Sequence, residues 1–372
     1  MALSTQSNEP KATSSLYLSS DLFFLLRDGN LILWDYKNHQ QFTLNSSYFE
    51  RLLLHARGEA KQDRDSDADI DQHLLKEGIL LTQRPKDPHW KWDALSYIFH
   101  IGTRNVEEDS HASNEEWLAD YISNCKVVVN DKPSDFFVTR EGPITPLNPP
   151  NLEALNELSF QEILKQRQTT RNFNGKPVSL DILSTLLFVT FGLFHGPWQE
   201  LSEAGLCEIG ARKTSASGGG LHPNEAYITI HNVEGIEPGI YHYDVMRHGL
   251  VKVNDRLAEN QLAALCMGQP FGEGVAFGVF LVAYFDKIWW KYPHSRGYRV
   301  ALLDAGHLSQ TFQLVSTALG ILTWMTANIH DVNISTLLKL DGVHEAPIHF
   351  LAGGYGQKSG VYHGVSEYFK KS

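Results

Sequence analysis

The sequence predicts an α+β protein built in two parts, a small winged-helix-like module followed by a mixed sheet flanked by helices. Three observations carry that expectation. Two short apolar runs, residues 22–26 and 31–36, flank Arg27-Asp28-Gly29-Asn30, and Asp-Gly at such a junction signals a tight hairpin. A proline-rich stretch, residues 132–151, reads as an extended linker. Beyond it, apolar strands alternate with segments that place their apolar residues on one helical face. These give a module over residues 1–131, a linker over 132–151 and a larger domain over 152–372.

In the first part, residues 47–56 form an expected helix with Phe49, Leu52 and Leu53 on one side. The charged residues 59–72 read as a loop leading to a second helix, and Gly78-Ile79-Leu80-Leu81 as a returning strand. In the second part, Ser159-Phe160-Gln161-Glu162 is a capping box, which satisfies free N–H groups at a helix start. Ser179 caps the next helix, whose Ile182, Leu183, Leu186 and Leu187 turn inward. Strands are expected at 226–233, 239–243, 275–285 and 347–352, with a helix over 307–319 whose stripe is Leu308, Phe312, Val315 and Leu319.

Composition narrows the function. The formal net charge of -11, with no block of Lys/Arg, argues against nucleic acid or an anionic membrane as partner, and gives the N-terminal module a peptide- or partner-binding role instead. The longest apolar run, 275–285, is too short to span a bilayer. The N-terminus lacks the apolar core of a signal peptide. Three widely spaced cysteines (Cys125, Cys207, Cys266) fit neither a disulfide framework nor a zinc cluster, so a cytoplasmic compartment is expected. His222 and Glu225 stand three apart, but they flank Pro223 after a glycine loop, so no metal site is expected.

Four segments have the chemistry of a site, and each has a plainer structural reading beside it. Arg167-Gln168-Thr169-Thr170-Arg171 sets two guanidinium groups around hydroxyls, a pattern that grips a dianion or makes surface ion pairs at a helix end. Ser217-Gly218-Gly219-Gly220 leaves backbone N–H groups unshielded for a planar or anionic ligand, or is a flexible loop. Lys291-Tyr292, past a buried strand and among aromatics, offers a general base or acid, or a lysine stem lying along ordinary core aromatics. Thr323-Trp324-Met325-Thr326-Ala327-Asn328 has small residues that let backbone lie against a flat ring, or is an ordinary strand exit.

Taken in order, these segments resemble the nitroreductase superfamily, and within it the SagB-type peptide-modifying dehydrogenases. The resemblance covers residues 155–356 and rests on Ser-Gly-Gly-Gly-Leu-His-Pro-x-Glu and Lys-Tyr…Tyr-Arg…Leu-Asp-x-Gly-His. It extends loosely upstream through Trp92-Asp93, Phe99-His100 and Thr103-Arg104. It implies non-covalent FMN in a homodimer, with each flavin at the subunit interface. It also implies that Arg167, Gln168, Thr169 and Arg171 hold the phosphate and ribityl chain. Ser217, Gly218 and Gly219 then lie near the ring, and Met325, Thr326 and Ala327 approach its other edge. Lys291 and Tyr292 fall where azoline-oxidising members carry a Lys-Tyr pair. The chain departs from the pattern at Gln168, Thr169 and Thr311, and has one extra residue between Tyr292 and Tyr298. The lysine that closes the phosphate site is left open among Lys358, Lys370 and Lys371.

The implied activity is dehydrogenation of azolines to azoles in a ribosomal peptide precursor, with Lys291 as base, Tyr292 as its partner and a cyclodehydratase as possible companion enzyme. Two other readings stand beside it: a flavin-dependent reductase of dehydroamino acids in a peptide, and a non-catalytic scaffold that binds a peptide or an enzyme.

Overall fold

The computed structural model describes residues 15–61, 65–104, 112–130, 137–196, 198–203, 211–258 and 260–371. The chain divides into two compact units, Met1–Glu108 and Asp109–Ser372. The boundary differs from the one expected at residue 131, because a helix at 114–130 falls in the second unit.

The first unit opens with β1 (Tyr17–Leu18), then β2 (Leu22–Arg27), β3 (Asn30–Asp35) and β4 (Gln40–Leu44) as a three-stranded antiparallel meander. The β2–β3 turn is the expected one: Arg27 pairs with Asn30, and Asp28 and Gly29 both take positive φ, 51° and 74°. Two positive φ values in a two-residue turn match the twist of the strands they join. Helix α1 (Ser46–Arg57) starts on Asn45, whose side chain accepts from the Tyr48 N–H, and stops on Gly58 in the left-handed region. Helix α2 spans Asp65–Lys76. Most of the stretch expected as loop is therefore helix, and its acidic first turn suits the positive end of the helix dipole. Next, β5 (Leu80–Leu81) returns to pair with β1, and α3 covers Ala94–Gly102. All three meander strands precede the helices, so the winged-helix-like expectation survives only as a small sheet backed by helices. Leu33, Leu52, Leu74, Ile79 and Leu80 form its core.

Elements of the second unit follow in order: α4 (Asn114–Asn130), β6 (Ile144–Pro146), α5 (Phe160–Gln166), α6 (Leu180–Phe191), α7 (Gln199–Glu203), β7 (Asn224–Ile230), β8 (Gly239–Asp244), β9 (Gly249–Asp255), α8 (Gln261–Leu265), β10 (Phe277–Tyr284), α9 (Asp286–Lys291), α10 (Gly297–Ala318), β11 (Leu322–Thr326), α11 (Asp331–Leu338), β12 (Glu345–Gly354) and α12 (His363–Lys371). The capping box at Ser159 and the Ser179 cap are both formed. Seven strands make one sheet in the order β11-β12-β10-β7-β8-β9-β6. Every ladder in it is antiparallel, and parallel pairing is confined to isolated bridges such as Thr169 with Thr323. Part of the expected linker is thus the edge strand β6, where Pro146 is tolerated because an edge needs no donor on its outer side.

Helices cover both faces of this sheet, and the two-residue period of the strands separates the two cores. On one side Ile228, Val279 and Leu281 meet Leu183 and Leu186 of α6 and Leu308 and Phe312 of α10. On the other, Tyr227, Phe280 and Val282 meet Leu262 and Leu265 of α8 and Ile334 and Leu338 of α11. Helix α10 begins ten residues before the expected start, so its first turns stand over the loops that follow α9. Among the described residues no helix is long and apolar enough to cross a membrane.

The first unit buries one ion pair at its centre. The Arg51 guanidinium donates through Nε and Nη2 to Asp71, at 2.7 and 2.5 Å, and His55 adds a contact at 2.7 Å. Burial pushes the Asp71 carboxyl up, but the hydrogen bonds from Arg51 and His55 outweigh it and hold it below the usual carboxylate range. Asp71→Ala leaves a buried guanidinium without its carboxylate and is expected to cost about 3–5 kcal/mol. The Arg51→Met/Asp71→Leu pair recovers most of that loss. Urea unfolding, followed through amide exchange in α1 and α2, checks both outcomes.

Candidate functional site

The sequence-selected residues gather in two groups. The first lies along the edge strand β11. Helix α5 ends at Arg167, whose backbone turns extended (φ -60°, ψ 115°), so residues 168–171 run as a strand-like segment and not as a helical turn. The Thr170 N–H donates to the Thr323 carbonyl at 2.8 Å and Thr169 bridges Thr323 in parallel, so the segment runs alongside β11, which carries Met325 and Thr326, with Ala327 just past the strand end. Residues 357–360 pass along the other side: the Arg171 N–H donates to Ser359 O at 3.1 Å, and the Thr170 hydroxyl donates to Gln357 O. The Arg171 guanidinium donates to Gly360 O and lies over the Phe271 ring, 5.1 Å from its centroid. Arg167, by contrast, has a guanidinium free of any hydrogen bond or ion pair among the described residues. Lys358 reaches Gln166 at 3.2 Å, beside Arg167. Of the three lysines left open by the sequence, this one stands at the group.

The second group surrounds the glycine loop. Asp304 of α10 holds it: the Ser217 hydroxyl donates to one carboxylate oxygen at 2.5 Å and the Gly218 N–H to the other at 3.3 Å. Burial raises the Asp304 carboxyl, against those hydrogen bonds. The loop is tighter than expected. The Gly220 N–H donates back to Ser217 O and the His222 N–H to Ser217 Oγ, so of the three glycines only Gly219 keeps an N–H without a partner among the described residues. Each glycine has its own reason. A Cβ on Gly218 would fall 2.4 Å from Val300, and one on Gly219, where φ is +63°, would fall 2.6 Å from the Tyr292 hydroxyl and 2.8 Å from Lys291 Nζ.

Lys291 and Tyr292 therefore stand directly on Gly219. The Lys291 ammonium donates to the Gly219 carbonyl at 3.3 Å and lies 5.7 Å from the Tyr292 ring centroid. Burial pulls the Lys291 amine below the ordinary lysine value and pushes the Tyr292 phenol up. Both shifts favour the neutral forms, an amine that can accept a proton beside a phenol that can donate one. No hydrogen bond or ion pair joins this group to the first one among the described residues.

Sequence reasoning missed a third feature, a set of charges buried beneath the loop. Lys287, one turn before Lys291, donates to Glu225 at 2.5 Å and to His222 O at 3.3 Å, and His242 sits 3.5 Å from the other Glu225 oxygen. Glu225 thus serves a buried lysine, and among the described residues no group of His, Cys, Asp and Glu is arranged to hold a metal ion. Lys213 is 8% exposed and borders, with His222, Glu225 and Lys287, a cavity of about 10 Å³, room for a single water. Burial lowers its amine to about 8, with Glu225 opposing and Lys287 adding to the shift. Between about pH 8 and 10.5 the folded protein has released this proton while the unfolded chain keeps it, so stability from this group rises with pH across that window. Lys213→Met removes that dependence. The difference between the two proteins' unfolding free energies is expected to shrink by up to about 3 kcal/mol from pH 7.5 to 10.5, read from urea titrations at each pH.

Comparison with known proteins identifies the family of this chain. The sequence profile of the Nitroreductase family matches residues 164–355. A nitroreductase-type protein of Methanocaldococcus jannaschii is 28% identical over 189 residues, covering 51% of this chain and 88% of its own. The Trifolitoxin-processing protein TfxB of Rhizobium leguminosarum bv. trifolii is 31% identical over 140 residues, 35% of this chain and 36% of its own. The Microcin B17-processing protein McbC of Escherichia coli is 28% identical over 142 residues, 37% of this chain and 52% of its own. The chain thus spans about a third to a half of the two peptide-processing relatives. The family profile takes in both groups of site residues apart from the 357–360 segment and covers more than half of the 372 residues, and the protein belongs to the nitroreductase family.

Proposed function

We propose that the protein is an FMN-dependent oxidoreductase that dehydrogenates azolines to azoles in a ribosomal peptide precursor. The observation that carries this reading is the contact of Lys291 and Tyr292 with Gly219, which sets a proton acceptor and a donor on the loop assigned to the flavin ring. Family membership supports redox chemistry, and the peptide-processing relatives support a peptide substrate.

The donor set suits FMN. Arg167 offers an unengaged guanidinium, Thr169 a hydroxyl and Lys358 an ammonium for the phosphate, with Arg171 and Gln168 bordering the ribityl chain. Ser217, Gly218 and Gly219 present flat backbone without side chains for the ring, and Met325, Thr326 and Ala327 meet its other edge. FMN, when bound, supplies the two-electron acceptor. The protein's own residues do the rest. Neutral Lys291 takes the Cα proton of the azoline, Tyr292 keeps its O–H and orients the amine, and the glycine loop excludes side-chain bulk between ring and substrate. Among the described residues the two site groups share no direct bond, and a homodimer in which each flavin lies between copies unites Arg167 of one with Lys291 of the other. The first unit, acidic and folded separately, is assigned to gripping the peptide or a cyclodehydratase partner.

Four outcomes test this. Lys291→Ala is expected to purify yellow yet lose at least about 100-fold in kcat, with wild-type kcat rising with pH to a midpoint below 10.5; unchanged turnover removes Lys291 from the reaction. Arg167→Ala and Lys358→Ala each weaken FMN by about 10- to 100-fold, measured by fluorescence titration. Mixing refolded Arg167→Ala and Lys291→Ala proteins restores about a quarter of wild-type turnover if each site draws on both copies, and none if it does not. Mass spectrometry of the precursor peptide should show a loss of two hydrogens per ring, whereas a gain of two hydrogens would establish a reductase.

A further inference from the structure

Helix α4 lies outside the flavin domain that the sequence marks, yet it belongs to the second compact unit and packs on the element that bears the Lys-Tyr pair. The Trp290 indole N–H, beside Lys291, donates to the Val128 carbonyl of α4 at 2.8 Å. One turn earlier, Cys125 is 5% exposed and within charge-interaction range of both Lys291 and Tyr292. The Tyr121 hydroxyl lies against the Cys125 thiol and within the same range of Tyr292. Trp117 stacks on Tyr121, with ring centroids 5.3 Å apart and planes 11° from parallel, and both rings are about half exposed. Residues 117, 121, 125 and 128 are spaced by four, four and three, so they share one helix face. That face runs from the half-buried Lys-Tyr pair out to an open aromatic ledge.

We propose that α4 forms one wall of the substrate site, with Cys125 and Tyr121 positioning the Lys291–Tyr292 pair and the Trp117–Tyr121 ledge receiving a flat ring of the substrate peptide. The substrate assignment rests on the peptide-dehydrogenase reading above; the packing of α4 on the pair does not. A five-membered azoline or azole, or an aromatic peptide side chain, matches the ledge in shape, since two parallel exposed faces accept a third ring by offset stacking. Cys125 is too enclosed to meet the peptide. Its place is behind the pair, where its small thiol lets Tyr121 close on Tyr292. A larger side chain would push α4 away from α9.

Proximity is tested without reference to turnover. In a protein carrying Cys207→Ser and Cys266→Ser, Lys291→Cys is treated with dibromobimane, which fluoresces only after bridging two nearby thiols. Fluorescence that vanishes on adding Cys125→Ser is expected, and its absence in a folded protein overturns the packing of α4 on the pair. Trp117→Ala, at a half-exposed position, should raise the peptide KM by about 2- to 10-fold while FMN affinity and kcat stay within twofold, whereas Tyr121→Ala should raise KM by a similar factor and lower kcat as well. An unchanged KM in both overturns the ledge. Cys125→Ser should keep kcat and Cys125→Leu should lose it, whereas equal kcat in the two overturns the positioning role. Full turnover in Lys291→Ala with an intact bimane bridge would reject the catalytic reading and leave the placement of α4 standing.

Discussion

The site depends on a single carboxylate. Asp304 takes the Ser217 hydroxyl on one oxygen and the Gly218 N–H on the other, and so ties the glycine loop to the first turns of α10. Ser217, once fixed, accepts the His222 N–H and thereby sets the entry into β7. Gly219 is then held at a left-handed φ under Lys291 and Tyr292, where a side chain would be strained and would displace the ends of both. The carboxylate is buried enough that its own charge is disfavoured, and the two hydrogen bonds offset only part of that cost. Loop, helix and pair are one construction, and each part would drift without that clamp.

Much of the fold was legible because it rests on local chemistry. Asp28-Gly29 specified a two-residue turn, Ser159 with Glu162 a capping box, and the alternating apolar runs of β7 and β10 a sheet buried on both faces. What escaped was set by distant partners. The strand β9 has polar residues over its second half, and β6 is three residues ending in proline, so both exist because the sheet edge offers them hydrogen bonds. Helix α4 has a weak apolar stripe, and nothing in its sequence says that Trp290 will bind its carbonyl. The long helix α10 starts at Gly297, a residue that reads as a breaker but that lets Ile288 pack within what would be Cβ distance.

The site was legible in outline for a different reason. Four segments in order carried it, and no spacing within any one of them did. Arg167 and Arg171 looked like a helical pair, but the chain is extended between them and Arg171 is spent on Gly360 and Phe271. The glycine loop looked open, and a tight turn uses most of its donors. The buried Lys213, Glu225 and Lys287 were invisible, since charges in sequence look like surface until tertiary packing removes their water.

The glycine floor and the α4 wall differ in how freely they can vary through descent. A side chain at Gly218 or Gly219 would have to push aside Val300 or the Lys291 and Tyr292 ends, so replacements there disturb the site directly. Trp117 and Tyr121 are half exposed on a helix that contributes little to the main cores, so replacements there are cheap for folding. A lineage can therefore exchange the wall while inheriting the floor unchanged, and new substrates become reachable by drift along one face of one helix.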